Sequence, residues 1–283
     1  MARAPQITPP RIMLSVVLAA WIVLAVASPW QVLADDASTA TSIAFLSWGW
    51  ALWVVTAVAL LVPSPLSLTA MRCTSPVAVV ASFVAVYPVA VFASLVALII
   101  GFSPLFADLM VQGGAYGEEK RFALKTPVPQ MLPTAIAWSI LSFSLIGGTL
   151  YTTNEQFVVG VPLLVVGAVL ATRVPKLLHR HSRRWLVIVP AGIVVHDHLV
   201  LAETVMSPRS KIASLNIVTE AGESADFTGS VAGPRLAVQL READKIVLSR
   251  ITAKILGTTE ALHVTTFSVA PRRLHAARDA ITL

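Results

Sequence analysis

CTSPVAVVASFVAVYPVAVFASLVALIIGFSPLFA, from Cys73 to Ala107, carries no charged residue in 35 positions. A helix needs about 20 apolar residues to cross the ~30 Å of bilayer hydrocarbon, so this stretch is too long for one upright span. It suits two short ones joined by a tight turn. Tyr87 and Pro88 lie near its middle, and proline lacks an amide donor and clashes with the preceding turn, so a helix reaching Pro88 breaks. Outward from this stretch lie further uncharged runs at Ile12 to Leu33, Ile43 to Val62, Thr134 to Leu150 and Phe157 to Thr172. Inside hydrocarbon every backbone polar group must be paired within the chain, so such runs are read as helices. The fold class expected is an α-helical polytopic membrane bundle followed by a smaller β domain.

Charge decides between two span counts. If the long stretch is one helix there are five spans, and Arg3, Arg11 and Arg72 fall opposite the basic segment Arg173 to Arg184, against the positive-inside rule. If it is a hairpin there are six. Then Arg3, Arg11, Arg72, Lys120, Arg121, Lys125 and the Arg173 cluster share the cytoplasmic side, while Asp35, Asp36 and Glu155 face outward. The expectation is therefore a multi-pass protein of the cytoplasmic (inner) membrane with both termini cytoplasmic. Each hairpin arm would have only about 16 to 18 residues, near the lower limit for crossing, and a re-entrant hairpin stays open. Arg3 and Arg11, followed by an apolar core and Ala25-Val26-Ala27, also fit a cleavable leader, but Trp30 to Leu33 continue the run as a signal anchor would.

Composition agrees with a membrane class. Apolar residues make up 56% of the chain and charged ones 13%, against about a quarter charged in an average soluble domain. The formal charge of +6 is concentrated beside apolar runs, which points to anionic phospholipids at the cytoplasmic face and not to nucleic acid. Lone Cys73 excludes an intramolecular disulfide and a cysteine-based metal site. The domains expected are a bundle over 1–173, a basic connector over 174–184 and a cytoplasmic β domain over 185–283.

The external connections, Ala34 to Ser42, the Tyr87 turn and Tyr151 to Gln156, are too short to form a domain. The cytoplasmic ones, Pro63 to Pro76 and Val111 to Pro133, are richer in Pro, Gly and charge. Proton relays and ion sites rely on ionisable groups at membrane depth. Here only Asp108 comes near, and it reads as a marker of the water boundary. Trp48, Trp50 and Trp53, with Trp30 at a similar depth, read as an interfacial aromatic belt, a binding groove being the other reading. Gly147, Gly148, Gly160 and Gly167 read as ordinary close packing.

The strongest electrostatic feature is Arg173, Lys176, His179, Arg180, His181, Arg183 and Arg184. Near an anionic leaflet each Lys or Arg is worth about 1 kcal/mol. Arg173, Lys176, Arg180, Arg183 and Arg184 are thus expected to anchor the chain at the membrane surface. Glu118, Glu119, Lys120 and Arg121 are candidate contacts to a protein partner or a second copy.

Beyond Arg184 the pattern shortens to extended runs: Trp185 to Val189, Ile193 to His198, Leu199 to Met206, Ile212 to Val218, Leu236 to Leu240, Lys245 to Leu248 and Leu262 to Val269. Pro190 and Gly192 suit a turn between the first two. Glu220 to Gly233 reads as a loop, and Pro271 to Ile281 as a helix with Leu274, Ala277 and Ile281 on one face. This makes a small barrel or sandwich with a helical cap.

That order of elements resembles a bacterial pleckstrin-homology-like domain. SRRWLVIVPAGIVVHDHLVLAETVM (Ser182 to Met206) and GGAYGEEKRF (Gly113 to Phe122) are also similar to stretches in a group of uncharacterised actinobacterial multi-span membrane proteins. The resemblance implies no catalytic motif, and the basic phosphoinositide pocket of eukaryotic members has no clear counterpart, although Arg209 and Lys211 sit in a strand connection.

His196 and His198 share a strand face at a spacing that can hold zinc, with Asp197 between them and His263 the only third ligand in view. Histidines exposed on a sheet face are the preferred reading, and no metal or cofactor is expected. No nucleophile elbow, zinc helix or phosphate loop appears. The functional expectation is a non-enzymatic scaffold whose cytoplasmic β domain binds envelope-associated proteins through a groove or strand edge. The alternative is a small permease or channel for an uncharged or lipid-like solute.

Overall fold

The computed structural model describes residues 9–219, 224–256 and 261–282; Arg3 and the start of the Glu220 loop lie outside them. The chain divides into two compact units, Met1–Met110 with Ala135–Lys176, and Val111–Thr134 with Leu177–Leu283. This differs from a cut at Arg173, because residues 111–134 belong with the C-terminal unit. They contribute a strand to its first sheet.

The first unit is helical. It contains α1 (Pro9–Ala27), α2 (Pro29–Asp35), α3 (Thr39–Leu61), α4 (Pro65–Val84), α5 (Pro88–Phe102) and α6 (Pro104–Gln112), whose last residues pass into the second unit. After that excursion come α7 (Val128–Ser142), a π turn at Phe143–Gly147, α8 (Gly148–Thr153), α9 (Phe157–Ala171) and α10 (Val174–Ser182). The unit boundaries fall inside α7 and α10. Among the described residues, five segments are long and apolar enough to cross a membrane: Arg11–Asp35, Thr39–Leu61, Pro65–Val84, Val128–Thr153 and Phe157–Ser182. The pair α5 and α6, bent by 66°, makes up to six if it is one span.

The long uncharged stretch breaks before Pro88 and again before Pro104, while Pro76 lies inside α4. α4 ends at Val84, Val86 takes a left-handed conformation (φ 51°), and Pro88 opens α5. Left-handed backbone is costly for a β-branched residue and is confined here to the turn. α4 begins earlier than expected, so Pro63 to Pro76 is mostly helix and not a connection. Ser64 caps it by accepting from the Ser67 amide at 3.0 Å, and Pro65 has the fixed φ that suits a first helical turn. The arm therefore reaches 20 residues, a comfortable crossing length. Arg72 sits inside this helix, its Nε donating to the Gly101 carbonyl at 3.3 Å and its guanidinium lying 5.5 Å from the centre of the Phe102 ring.

Close approach of α9 to α8 and to the π turn before it depends on glycine. A Cβ on Gly160 would collide with Thr152, and one on Gly167 would come within 2.7 Å of Leu145 Cδ2. The close-packing expectation for these positions agrees with that geometry.

The second unit holds two four-stranded sheets that do not close into a barrel. One has the order β1 (Lys120–Ala123), β2 (Arg184–Val189), β3 (Gly192–Asp197), β4 (Val205–Pro208). The other is built from β5 (Ile212–Val218), β6 (Ala225–Asp226), β7 (Arg235–Val247) and β8 (Ala261–Val269), in the order β5-β7-β8-β6. Leu236–Leu240 and Lys245–Leu248 are not separate strands. β7 runs through both, with an irregularity in its pairing between Gln239 and Asp244. Leu199 to Met206 is mainly a turn, because Asp197 Oδ1 accepts from the Leu199 amide at 3.1 Å and stops β3. Pro190 and Ala191 link β2 to β3, whose register pairs Val189 with Gly192. A Cβ on Gly192 would strike the Ser207 carbonyl, so only glycine admits β4 at that position.

One hydrophobic core joins the sheets. Leu186, Ile188 and Ile193 from the first meet Leu236, Val238 and Phe267 from the second. Leu274, Ala277 and Ile281 on α12 (Leu274–Thr282) belong to the same core, as does Ala253 on α11 (Arg250–Leu256). The amphipathic face read for the last helix is the face it buries.

Candidate functional site

Arg184 is not a membrane anchor. Its side chain is 1% exposed and grips Asp197, with Nε to Oδ1 at 2.8 Å and Nη2 to Oδ2 at 2.7 Å. Nη1 donates to the Lys125 carbonyl at 2.6 Å. The reason for the correction is register: Arg184 opens β2 directly opposite Asp197 on β3, so the guanidinium is buried with a planar acceptor in reach. The other four basic residues, Arg173, Lys176, Arg180 and Arg183, are exposed. Their spacing follows helical pitch, which puts them on one stripe along and beside α10.

Glu118 and Lys120 are exposed and, with Arg209, border a groove of about 530 Å³ floored by Ile188, Val189 and Pro190. Glu119 and Arg121 turn elsewhere. They form an ion pair at 2.6 Å, and Arg121 lies 5.5 Å from the Trp185 ring centre. Trp185 stacks on His196 at 4.5 Å, and His198 meets His196 edge-on at 4.4 Å. Partial burial pushes the Glu119 carboxyl up, but the Tyr116 amide and Arg121 outweigh it and hold it below the ordinary carboxylate range. Burial, then the positive fields of His198 and Arg183, push His196 down to about 4. His198 is exposed but His196 is half-buried. His263 lies on β8 in the other sheet. Among the described residues no group of three or more His, Cys, Asp or Glu could hold a metal ion.

The two sheets treat their edges differently. β1 is an edge strand, yet the Gln112 side chain donates to the Glu119 carbonyl at 2.8 Å and accepts from the Arg121 amide at 2.7 Å. The Arg272 amide then takes the Ala123 carbonyl at 2.8 Å. That edge is closed to a further strand. β5 is the outer strand of the second sheet and reads IASLNIV, with no charge and no proline. Apart from the turn bond of the Ile212 amide to Arg209, its described backbone pairs only with β7. Ile212, Leu215 and Ile217 pack on the core, leaving Ala213 and Asn216 exposed. Hydrophobicity marked this run as a strand. No local signal made it an edge, since edge position follows from the order of all four strands.

Within the first unit, Trp30 is buried and Trp48 and Trp53 are half-buried. Trp53 Nε1 donates to the Trp21 carbonyl at 2.8 Å, Trp21 Nε1 returns a bond to the Trp53 carbonyl at 3.0 Å, and Trp48 Nε1 reaches Thr149 Oγ1 at 3.3 Å. Trp50 is the exposed member. Asp108 is buried in α6.

No protein-family model, curated protein or solved structure matches the chain.

Proposed function

We propose that this protein is a non-enzymatic scaffold of the cytoplasmic membrane, in which the helical unit anchors the chain and the second unit binds an extended segment of an envelope-associated protein. The observation that carries this reading is the open β5 edge. A long uncharged edge strand is a template for pairing, which proteins ordinarily block with charge, proline or a cover. Here β1 is covered and β5 is not. Main-chain bonds along an added strand supply affinity, and side chains at alternate positions supply specificity. Strands followed by a closing helix support the pleckstrin-homology-like reading, and the Arg173 to Arg183 stripe supports cytoplasmic placement beside anionic phospholipids.

The test uses the full chain in its host membrane with a photoreactive residue at Asn216, and separately at exposed Glu242 as a control. A discrete crosslinked protein at Asn216, absent at Glu242, is expected. Equal labelling at both sites, or none at Asn216, overturns the reading. A reporter fused after the last residue, active only in the cytoplasm, tests sidedness.

A further inference from the structure

The helical unit contains a cavity of about 280 Å³, lined almost wholly by apolar groups. A dry apolar cavity of ~150 Å³ already admits a benzene ring, so this one has room for an extended hydrocarbon segment. Four tryptophans, Trp21, Trp30, Trp48 and Trp53, contribute to its wall. Three have their indole N–H satisfied by protein acceptors. Trp30 does not: it is 4% exposed, and its Nε1 is buried with no hydrogen-bond partner. A buried donor left unpaired is unfavourable, and a ligand acceptor would satisfy it.

The fold is arranged to place that ring. Ser28 takes a left-handed conformation (φ 39°) just before Trp30, between α1 and α2, which together form one span-length segment to Asp35. Gly49 on α3 receives the ring, since any Cβ there would collide with it. On α4 the small residues Ala78 and Ala81 leave the cavity open. Its α4 wall runs from Thr74 to Val84, about 15 Å of helix rise. That is half of the ~30 Å hydrocarbon core, the depth of one leaflet. Trp30 precedes Asp35, the last residue of α2, by about 7.5 Å of rise.

We propose that this cavity binds one acyl chain of a membrane phospholipid, with the ester carbonyl at the head of the chain accepting from Trp30 Nε1. The chain lies along α4 between the tryptophans, and the headgroup stays outside the bundle at the level of the α2–α3 turn. This assignment concerns the bundle and is independent of what β5 binds.

The experiment reconstitutes the full chain in phosphatidylcholine vesicles containing a phosphatidylcholine with a diazirine at mid-chain. After photolysis, adducts are mapped by mass spectrometry. Adducts on the 45–53 and 74–84 peptides are expected at least fivefold above those on the exposed 158–169 surface of α9. Ala78→Phe, which fills the cavity, should remove that excess. Trp30→Phe, which keeps an aromatic ring of smaller size and deletes the donor, should cut it two- to fivefold. Thermal melting checks that both variants are folded, and Ala81→Leu replaces Ala78→Phe if the latter does not assemble. Labelling of the cavity peptides no higher than the α9 surface, or unchanged by the cavity-filling variant, overturns the proposal. Equal labelling by a diazirine-bearing free fatty acid, insensitive to Trp30→Phe, overturns the assignment to a phospholipid ester.

Discussion

Arg184 and Asp197 face each other across β2 and β3 and make two parallel hydrogen bonds, 2.8 and 2.7 Å long, with neither side chain more than 1% exposed. Removing one partner from such a pair strands the other charge in a dry interior, whereas replacing both removes the desolvation cost as well. Arg184→Ala should destabilise the second unit by about 3–5 kcal/mol. The double variant Arg184→Met/Asp197→Leu should lose much less. Chemical denaturation of the purified protein, followed by near-ultraviolet circular dichroism, checks the order; equal losses would show that the pair does not act as a unit.

His196 links stability to pH. Its ordinary value of 6.5 is pushed down to about 4 in the fold, so between those values the unfolded chain holds a proton that the folded chain refuses. Stability then rises with pH across that window and falls on acidification through it. Wild-type melting temperature should decline between pH 6.5 and 4 more steeply than that of His196→Gln. Parallel curves for the two proteins would refute the linkage.

Gly160 lets α9 approach α8 beneath Thr152. Overfilling a packed contact typically costs about 1–3 kcal/mol, so Gly160→Val should lower the melting temperature of the helical unit. Gly117→Ala tests a different cost: its Cβ would meet nothing within 4 Å, but its φ of +56° is strained for alanine. Melting in detergent should rank Gly160→Val as the more damaging change.

Gln112 covers the β1 edge through two bonds made by one amide. Gln112→Ala should expose the Glu119 carbonyl and the Arg121 amide and create a second pairing edge. Light scattering of the purified chain should show greater self-association than wild type. Gln112→Glu keeps the acceptor but loses the donor and should fall between them.

Local chemistry in the sequence determined the helices, several strands and the final amphipathic helix. Uncharged runs have few ways to satisfy their backbone except as helices, Pro88 has the fixed φ that suits a first helical turn, and Leu274, Ala277 and Ile281 recur at helical spacing. These signals depend on neighbours a few residues apart. The start of α4 at Pro65 was legible in the same terms, through Ser64 and Pro65, but the charge on Arg72 suggested a loop. The Gly101 carbonyl and the Phe102 ring, distant along the chain, show how the helix carries that side chain.

The tertiary structure alone decided what each charge and each edge does. Arg184 and Arg183 are adjacent and chemically alike, yet one is locked against Asp197 and the other exposed, because strand register selects between them. Lys120–Ala123 became a strand by pairing with β2, more than sixty residues downstream. The covered β1 edge, the open β5 edge and the unpaired Trp30 indole likewise depend on which segments meet in space. A sequence carries the propensities of its residues, but burial and pairing belong to the assembled fold.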